Sequence, residues 1–436
     1  MNFVELGVKP EICNALARIG ITDAFQIQEL TLPLGLAGKD IIGQAKTGTG
    51  KTLGFGIPLL QAMISPASAE YAQLDSAANK PQALVLAPTR ELAVQVAADL
   101  EAAAAELSLR ILCLYGGKAY EPQIDTLKSG VDVIVGTPGR ILDLAGQRHL
   151  DLGSIRVLVL DEADEMLDMG FLPDVEKLIS KLPAKRQTML FSATMPGQII
   201  NLARRYMSQP VHIRAVNPDD VDNSIVDAIE QHVWRAHQMD RTELVARVLQ
   251  AKTCTKSIIF CKTKRSAQKL TEELTERGFS AVSVHGDMGQ GAREKSLEKF
   301  KADKANILVA TDVAARGIDI EAVSHVINFD CPDDENSYVH RIGRTGRAGA
   351  SGVAVTLIDW ADLPKWQRIN SALGLPFADP IETYSSSEHV YVGLDIPAGT
   401  KGRLKPAASA PAVTAEKSQP KREDRPRRRT NKISNK

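Results

Sequence analysis

Ala45-Lys-Thr-Gly-Thr-Gly-Lys51-Thr52 places two glycines, two lysines and three threonines between a short apolar run and a helical pattern. Successive backbone N–H groups in such a loop cradle phosphate oxygens, and the helix that follows adds its positive end. Ala45, Thr47, Gly48, Thr49 and Gly50 would form the cradle, Lys51 would reach the terminal phosphates, and Thr52 would hold Mg²⁺. Asp161-Glu162-Ala163-Asp164 follows four apolar residues, so its first carboxylate stands at a strand end. Asp161 suits a Mg²⁺ ligand, and Glu162 suits a base that orients and deprotonates water. Alone, an Asp-Glu pair is most often a surface charge cluster; beside a phosphate loop it completes the signature of a nucleotide-hydrolysing site. In His340-Arg-Ile-Gly-Arg344-Thr-Gly-Arg347, two arginines spaced three apart can approach a γ-phosphate from a separate domain. Such arginines contribute on the order of 10³–10⁵ in rate. A basic patch facing RNA or phosphate is the alternative for this segment.

The elements around these residues read as two rounds of strand and helix. Asp40–Gln44, Gln82–Ala87, Val131–Val135, Arg156–Leu160 and Gln187–Phe191 are short apolar runs that each end in small or polar residues. That is how buried parallel strands read, with functional loops at their carboxyl ends. The polar stretch 210–224 breaks the pattern and is the expected linker. Ser257–Phe260, Ser280–Val284, Asn306–Ala310, His325–Phe329 and Gly352–Ile358 restart it, without a second phosphate loop.

The 436 residues suffice for two domains, and 44% hydrophobic content excludes a wholly disordered or fibrous chain. Lys plus Arg and Asp plus Glu are both 53, but the balance is uneven: residues 401–436 hold twelve basic and three acidic side chains. An acidic body with a basic, Pro- and Ala-rich end points to a disordered appendage that attracts polyanions. Five scattered cysteines without a C-x-x-C pair fit a reduced intracellular protein and offer no zinc framework. With no signal peptide and no run of eighteen apolar residues, the expectation is a cytoplasmic protein with no membrane span.

Taken together, the motifs resemble those of the DEAD-box RNA helicases of superfamily 2, over about Phe3 to Trp366. The resemblance implies an α/β fold of two tandem RecA-like domains, each a mainly parallel sheet flanked by helices, with a disordered basic C-terminal tail. The expected boundaries are 1–209, a linker at 210–224, 225–385, and a tail at 386–436. It implies an RNA-dependent ATPase that remodels short RNA duplexes locally and non-processively, with ATP and Mg²⁺ as cofactors. Within Gly20–Gln28, Gln28 would read the adenine edge, and Phe3 would stack on the base; Ala24-Phe25 stands where the family has Pro-Thr, and Ile21 where an aromatic is common. Gly317 and Asp319 would contact ATP from the second domain. Ser192 and Thr194, with Asp164 and His340, would couple hydrolysis to strand separation. Pro88, Thr89, Arg90, Gly117, Thr137 and Arg140 would contact RNA from the first domain. Phe260, Gln290, Arg293, Thr311 and Arg316 would do so from the second. The implied partner is RNA, with ribosomal precursors or RNA-decay machinery among the family's roles. An ATP-gated RNA clamp would use the same residues.

Overall fold

The computed structural model describes residues 1–45, 49–71, 79–215, 229–315, 323–346 and 352–404. Its first half is a seven-stranded parallel sheet. The strands are β1 (Ile41–Gln44), β2 (Ala83–Leu86), β3 (Ile111–Leu114), β4 (Val133–Gly136), β5 (Val157–Leu160), β6 (Gln187–Ser192) and β7 (Val211–Arg214). Their spatial order is β3-β4-β2-β5-β6-β1-β7. Central strands such as β2 and β5 are buried along their whole length, as their unbroken Val/Leu/Ala composition requires when helices cover both faces. Two apolar clusters lie on opposite sides of this sheet, one centred on Phe55 and Phe191, the other on Leu158 and Ile134.

The second half repeats the design with β8 (Ile229–Arg235), β9 (Ser257–Phe260), β10 (Ala281–Val284), β11 (Ile307–Ala310), β12 (His325–Asn328), β13 (Gly352–Ile358) and β14 (Ile381–Glu382). The order β10-β11-β9-β12-β13-β8-β14 is that of the first sheet, strand for strand. The register agrees too. Ala45 N–H bonds to Ser192 O beyond β1, and Ala236 N–H bonds to Ile358 O beyond β8. The two tandem α/β domains expected from the sequence are therefore present.

Two boundaries differ from expectation. Residues 211–214 of the expected linker form β7, paired with β1 from Ile41↔Val211 to Gln44↔Arg214. Only Ile213 of this edge strand is buried, so it carries no apolar run to announce it. The expected tail begins too early: residues 386–404 are folded onto the second domain. The helix Glu388–Gly393 sends Val390 into the core beside Leu394 and Ile396. Beyond it, Gly402 N–H donates to Glu243 Oε1 at 3.0 Å and Leu404 N–H to Arg277 O at 2.9 Å. Three spaced apolar residues in a polar stretch are too few to read as a helix. Residues 405–436 lie outside the described residues.

Candidate active site and nucleic-acid edge

The reversal of strand order in each sheet divides its carboxyl edge into two halves. Loops after β1, β5 and β6 gather on one half; loops after β2, β3 and β4 gather on the other. The first half collects Ala45, Lys51, Asp161 and Ser192. The second collects Pro88, Thr89, Arg90, Gly117, Thr137 and Arg140.

On the first half, Gly50 adopts φ +82° and lets the chain turn into the helix Lys51–Ala62. Lys51 is 7% exposed, and among the described residues its Nζ has no hydrogen-bond partner. Thr52 follows it, half-buried. Asp161 N–H is held by Leu86 O, and Asp161 Oδ1 accepts from Glu162 N–H at 3.0 Å. Glu162 sits at φ 48°, ψ 55°, a left-handed conformation that a non-glycine residue adopts only under constraint, and its buried Oε2 has no partner. Burial pushes the Asp161 carboxyl up to about 7; Lys51 opposes the rise, while Glu162 and Asp164 add to it. Unsatisfied buried charge of both signs at one strand end costs stability unless a polar ligand completes it.

Asp164 connects this cluster to β6. Its Oδ2 accepts from Thr194 N–H at 2.8 Å and Thr194 Oγ1 at 2.9 Å. Its own N–H donates to Ser192 Oγ at 3.2 Å, which in turn donates to Thr194 O at 2.7 Å. Gln28 is 1% exposed; its Oε1 accepts from Phe25 N–H at 2.9 Å, and its Nε2 donates to Gly50 O at 2.8 Å. One further donor and one further acceptor remain on that amide. Phe3, expected to stack on a base, is 2% exposed within the core cluster of the first domain. Its neighbours Leu6, Val8, Ile12 and Leu16 belong to the same cluster, so the residue anchors the N-terminal segment and is not available to a ligand.

On the second half, Thr89 caps the helix Arg90–Ala103 through Leu92 N–H at 3.2 Å, and Pro88 is buried before it. Gly117, at φ +91°, lies under the Arg90 guanidinium: a Cβ there would stand 2.5 Å from Arg90 Nη1. Thr137 precedes the helix Pro138–Gly146. Arg140, expected on RNA, is 7% exposed and engaged inside its own domain. It donates to Gln123 Oε1 at 2.9 Å and Lys118 O at 3.0 Å, and its guanidinium stacks 3.9 Å from the Tyr120 ring centroid. Its contribution is to hold the loop after β3. Phe260, also expected on RNA, is 2% exposed and packs in the core of the second domain, with the Arg341 guanidinium 5.3 Å over its ring. An apolar run that fills a strand leaves its last ring inside.

Arg90, Gln290 and Arg293 use their side chains across the two domains. Arg90 Nη1 donates to Gln290 Oε1 at 3.0 Å, and Arg293 Nη2 donates to Glu91 Oε2 at 3.0 Å and to Ala314 O at 2.9 Å. Glu91 lies inside the Pro88–Leu92 segment expected to contact RNA, and its part in this clasp was missed. Arg341 was also missed. It is 2% exposed, grips Asp312 bidentately at 2.6 and 2.7 Å, and bonds Asn328 Oδ1 and Asp330 O. It thereby fastens the segment carrying His340 and Arg344 to the one carrying Thr311. His340 is half-buried in the last turn of the helix Glu335–Ile342, with Arg344 just beyond it. Thr47, Gly48, Arg316, Gly317, Asp319 and Arg347 lie outside the described residues.

Two family models cover this architecture: the DEAD/DEAH box helicase model at residues 25–202 and the helicase conserved C-terminal domain model at residues 240–349. The chain is 46% identical to the DEAD-box ATP-dependent RNA helicase CshA of Geobacillus kaustophilus, over 82% of this chain and 73% of that protein. The chain belongs to the DEAD-box ATP-dependent RNA helicase family. It is 45% identical to CshA of Listeria monocytogenes over the same 82%, where the match spans 66% of the relative's length. The chain thus spans about two thirds to three quarters of the curated relatives it matches. Among solved structures, S. cerevisiae Dbp5 bound to RNA and ADP BeF3 is similar at a TM-score of 0.74 and 30% identity, over 88% of this chain and 96% of that one. Mss116p bound to ssRNA and AMP-PNP matches at 0.74 and 27% identity, over 89% and 79%. As in other DEAD-box helicases, the shared fold is a pair of RecA-like domains. Among the described residues, no helix is long and apolar enough to cross a membrane.

Proposed function

We propose that the chain hydrolyses ATP when RNA is bound and uses the closure of its two domains to separate or remodel short RNA duplexes locally. The observation that carries this reading is the pair of orphaned buried groups, Lys51 Nζ and Glu162 Oε2, flanking the raised Asp161 carboxyl. A nucleoside triphosphate arriving with Mg²⁺ would complete all three: its terminal phosphates would pair with the Lys51 ammonium, Asp161 would help hold the ion, and an attacking water would donate a hydrogen bond to Glu162. The donor set of one hydroxyl (Thr52) and one carboxylate (Asp161) fits Mg²⁺ that arrives with phosphate oxygens, since that ion keeps waters and takes one or two carboxylates. Such an ion would neutralise developing phosphate charge.

Gln28 selects the adenine edge with its remaining amide donor and acceptor. Arg344 stabilises the transferring phosphoryl from the second domain; Arg347 shares that role, and Gly317 and Asp319 contact ATP. The Asp164–Ser192–Thr194 network senses the state of Asp161 and Glu162 because it shares their strand ends, and His340 receives that state across the cleft. RNA lies along the other half of the carboxyl edges. Thr89, Gly117, Thr137 and Thr311 offer hydroxyl and backbone groups to phosphates and 2′-hydroxyls there, contacts that do not read base identity. The clasp of Arg90 and Glu91 with Gln290 and Arg293 closes the domains on that side. Residues 405–436, rich in Lys and Arg, act as a salt-sensitive tether for flanking RNA. Ribosomal precursors and RNA-decay complexes in the cytoplasm are among the family's substrates, and a backbone reader accepts either.

Release of a labelled strand from a short RNA duplex tests the reading. Release with ATP and Mg²⁺, lost in Lys51→Ala, is the expected result. Stable RNA retention with ATP and no release in the wild-type chain would make it a clamp.

A further inference from the structure

Phe25 is unfavourable for the place it occupies. It is the N-cap of the helix Gln26–Leu36, a position where a hydroxyl or carboxylate accepts a backbone N–H and a phenyl ring cannot; no side-chain cap bond forms. It is also 60% exposed, leaving a large aromatic surface in water. Gln28 Oε1 takes up the Phe25 N–H, but the ring itself does no capping. Yet the ring is not remote from the chemistry. Its Cδ2 stands 2.7 Å from where a Cβ on Gly50 would be, and Gln28 Nε2 stands 2.5 Å from the same point. Ring, amide and phosphate loop therefore meet on one side of Gly50, the residue immediately before Lys51. Gln28 ties them, running from Phe25 N–H to Gly50 O. The other aromatics packed around this region, Phe3, Phe55 and Phe191, are all 2% exposed or less.

We propose that Phe25 is the residue on which the nucleotide base stacks. Adenine would lie against the exposed face of the ring, with the free donor and acceptor of Gln28 at its edge. The inference rests on reading Lys51, Asp161 and Glu162 as the nucleotide site. It assigns to a position occupied by threonine in the family pattern a contact that the buried Phe3 cannot make. Stacking is blind to base identity, because every base has a π-face. Phe25 accordingly supplies affinity for adenine and guanine nucleotides alike, while the choice between them stays with polar groups such as Gln28.

Calorimetric titration of the full chain with ADP, GDP and tripolyphosphate, a probe without a base, tests this. Phe25→Ala and Phe25→Thr are expected to weaken ADP and GDP by about 10-fold each, the size of one lost aromatic–base stack. Tripolyphosphate affinity stays constant. The threonine variant restores a capping hydroxyl, so its melting temperature does not fall, and its loss of ADP affinity cannot be ascribed to unfolding. Phe25→Trp keeps ADP affinity, and its added fluorescence is quenched by ADP but not by tripolyphosphate, against Trp234, Trp360 and Trp366 of the second domain. Unchanged ADP affinity in the alanine and threonine variants would overturn the proposal, as would an equal loss for tripolyphosphate. ADP bound equally by wild type and Lys51→Ala would instead remove the nucleotide site itself, and the stacking role with it.

Discussion

The two sheets have the same strand order and the same backbone register, yet they treat equivalent strand ends in opposite ways. After β1 and β5 the first domain leaves Lys51 Nζ and Glu162 Oε2 buried without partners. After β8 and β12 the second domain fills the corresponding space with its own cation. Arg241, in the helix Gln238–Val248 and 2% exposed, donates Nε to Ala236 O at 3.3 Å and Nη1 to Phe329 O at 3.1 Å. It pairs with Asp330 at 3.4 Å and Asp359 at 3.6 Å. Ala236 stands where Ala45 does, and Phe329 N–H bonds to Phe260 O as Asp161 N–H bonds to Leu86 O. A carboxyl edge of a parallel sheet is thus only a potential site. It binds a ligand where the sequence leaves charge to be completed, and it is inert where a side chain completes that charge from within.

The largest expected effect exploits this contrast. Glu162→Gln is isosteric and lowers the ATP hydrolysis rate by roughly 10²–10⁴-fold, the contribution of a positioned general base, while ATP affinity is retained. Asp330→Asn, at the matching place in the second domain, leaves the hydrolysis rate within about threefold. Equal losses in steady-state assays would dissolve the distinction between the two ends. Next in size, Arg241→Ala strips a buried cation from two carboxylates and destabilises the second domain by about 3–5 kcal/mol, read as a lowered midpoint in urea unfolding. ADP affinity is unaffected, because the site is elsewhere.

The clasp gives a smaller effect. Arg293→Glu places like charge opposite Glu91 and reduces RNA-stimulated ATP hydrolysis by about 10-fold, roughly 1.4 kcal/mol of closure. The double exchange Glu91→Arg with Arg293→Glu recovers part of it; no recovery would mean the pair does not report closure. Smallest is the pH effect contributed by one residue of the second domain. Burial lowers His325 to about 4, with His232 adding to this and Glu230 opposing it. Below its ordinary value the unfolded chain binds a proton that the folded one refuses, so stability falls as pH drops from about 6.5 towards 4. Between pH 7 and pH 6 the contribution of His325 alone is a loss of roughly 0.7 kcal/mol, read as the difference between the pH dependences of wild-type and His325→Gln denaturation curves.

The phosphate loop and Asp161–Asp164 were legible because their spacing, flanking apolar runs and chemistry all agree within a dozen residues. Strands with continuous Val/Ile/Leu runs were legible for the same reason: five expected in each half are present. What escaped was decided by tertiary packing. β3 has three half-buried residues of four, and β7 only one buried, so neither carries a buried-strand pattern. Phe3, Phe260 and Arg140 have the residue types of ligand contacts, and only packing reveals that the core and the Tyr120 ring already hold them. The Glu91–Arg293 clasp joins residues about two hundred positions apart and has no local signal at all.

The claim that matters most is that the nucleotide site lies in the first domain and is switched on through RNA bound at the second half of the edge. Steady-state ATP hydrolysis without nucleic acid, with single- and double-stranded RNA, and with matched DNA measures it directly, with Glu162→Gln as the blank. The expected result is low basal hydrolysis, strong stimulation by RNA, little by DNA, and none in the variant. High hydrolysis without nucleic acid, or equal stimulation by DNA, would contradict it.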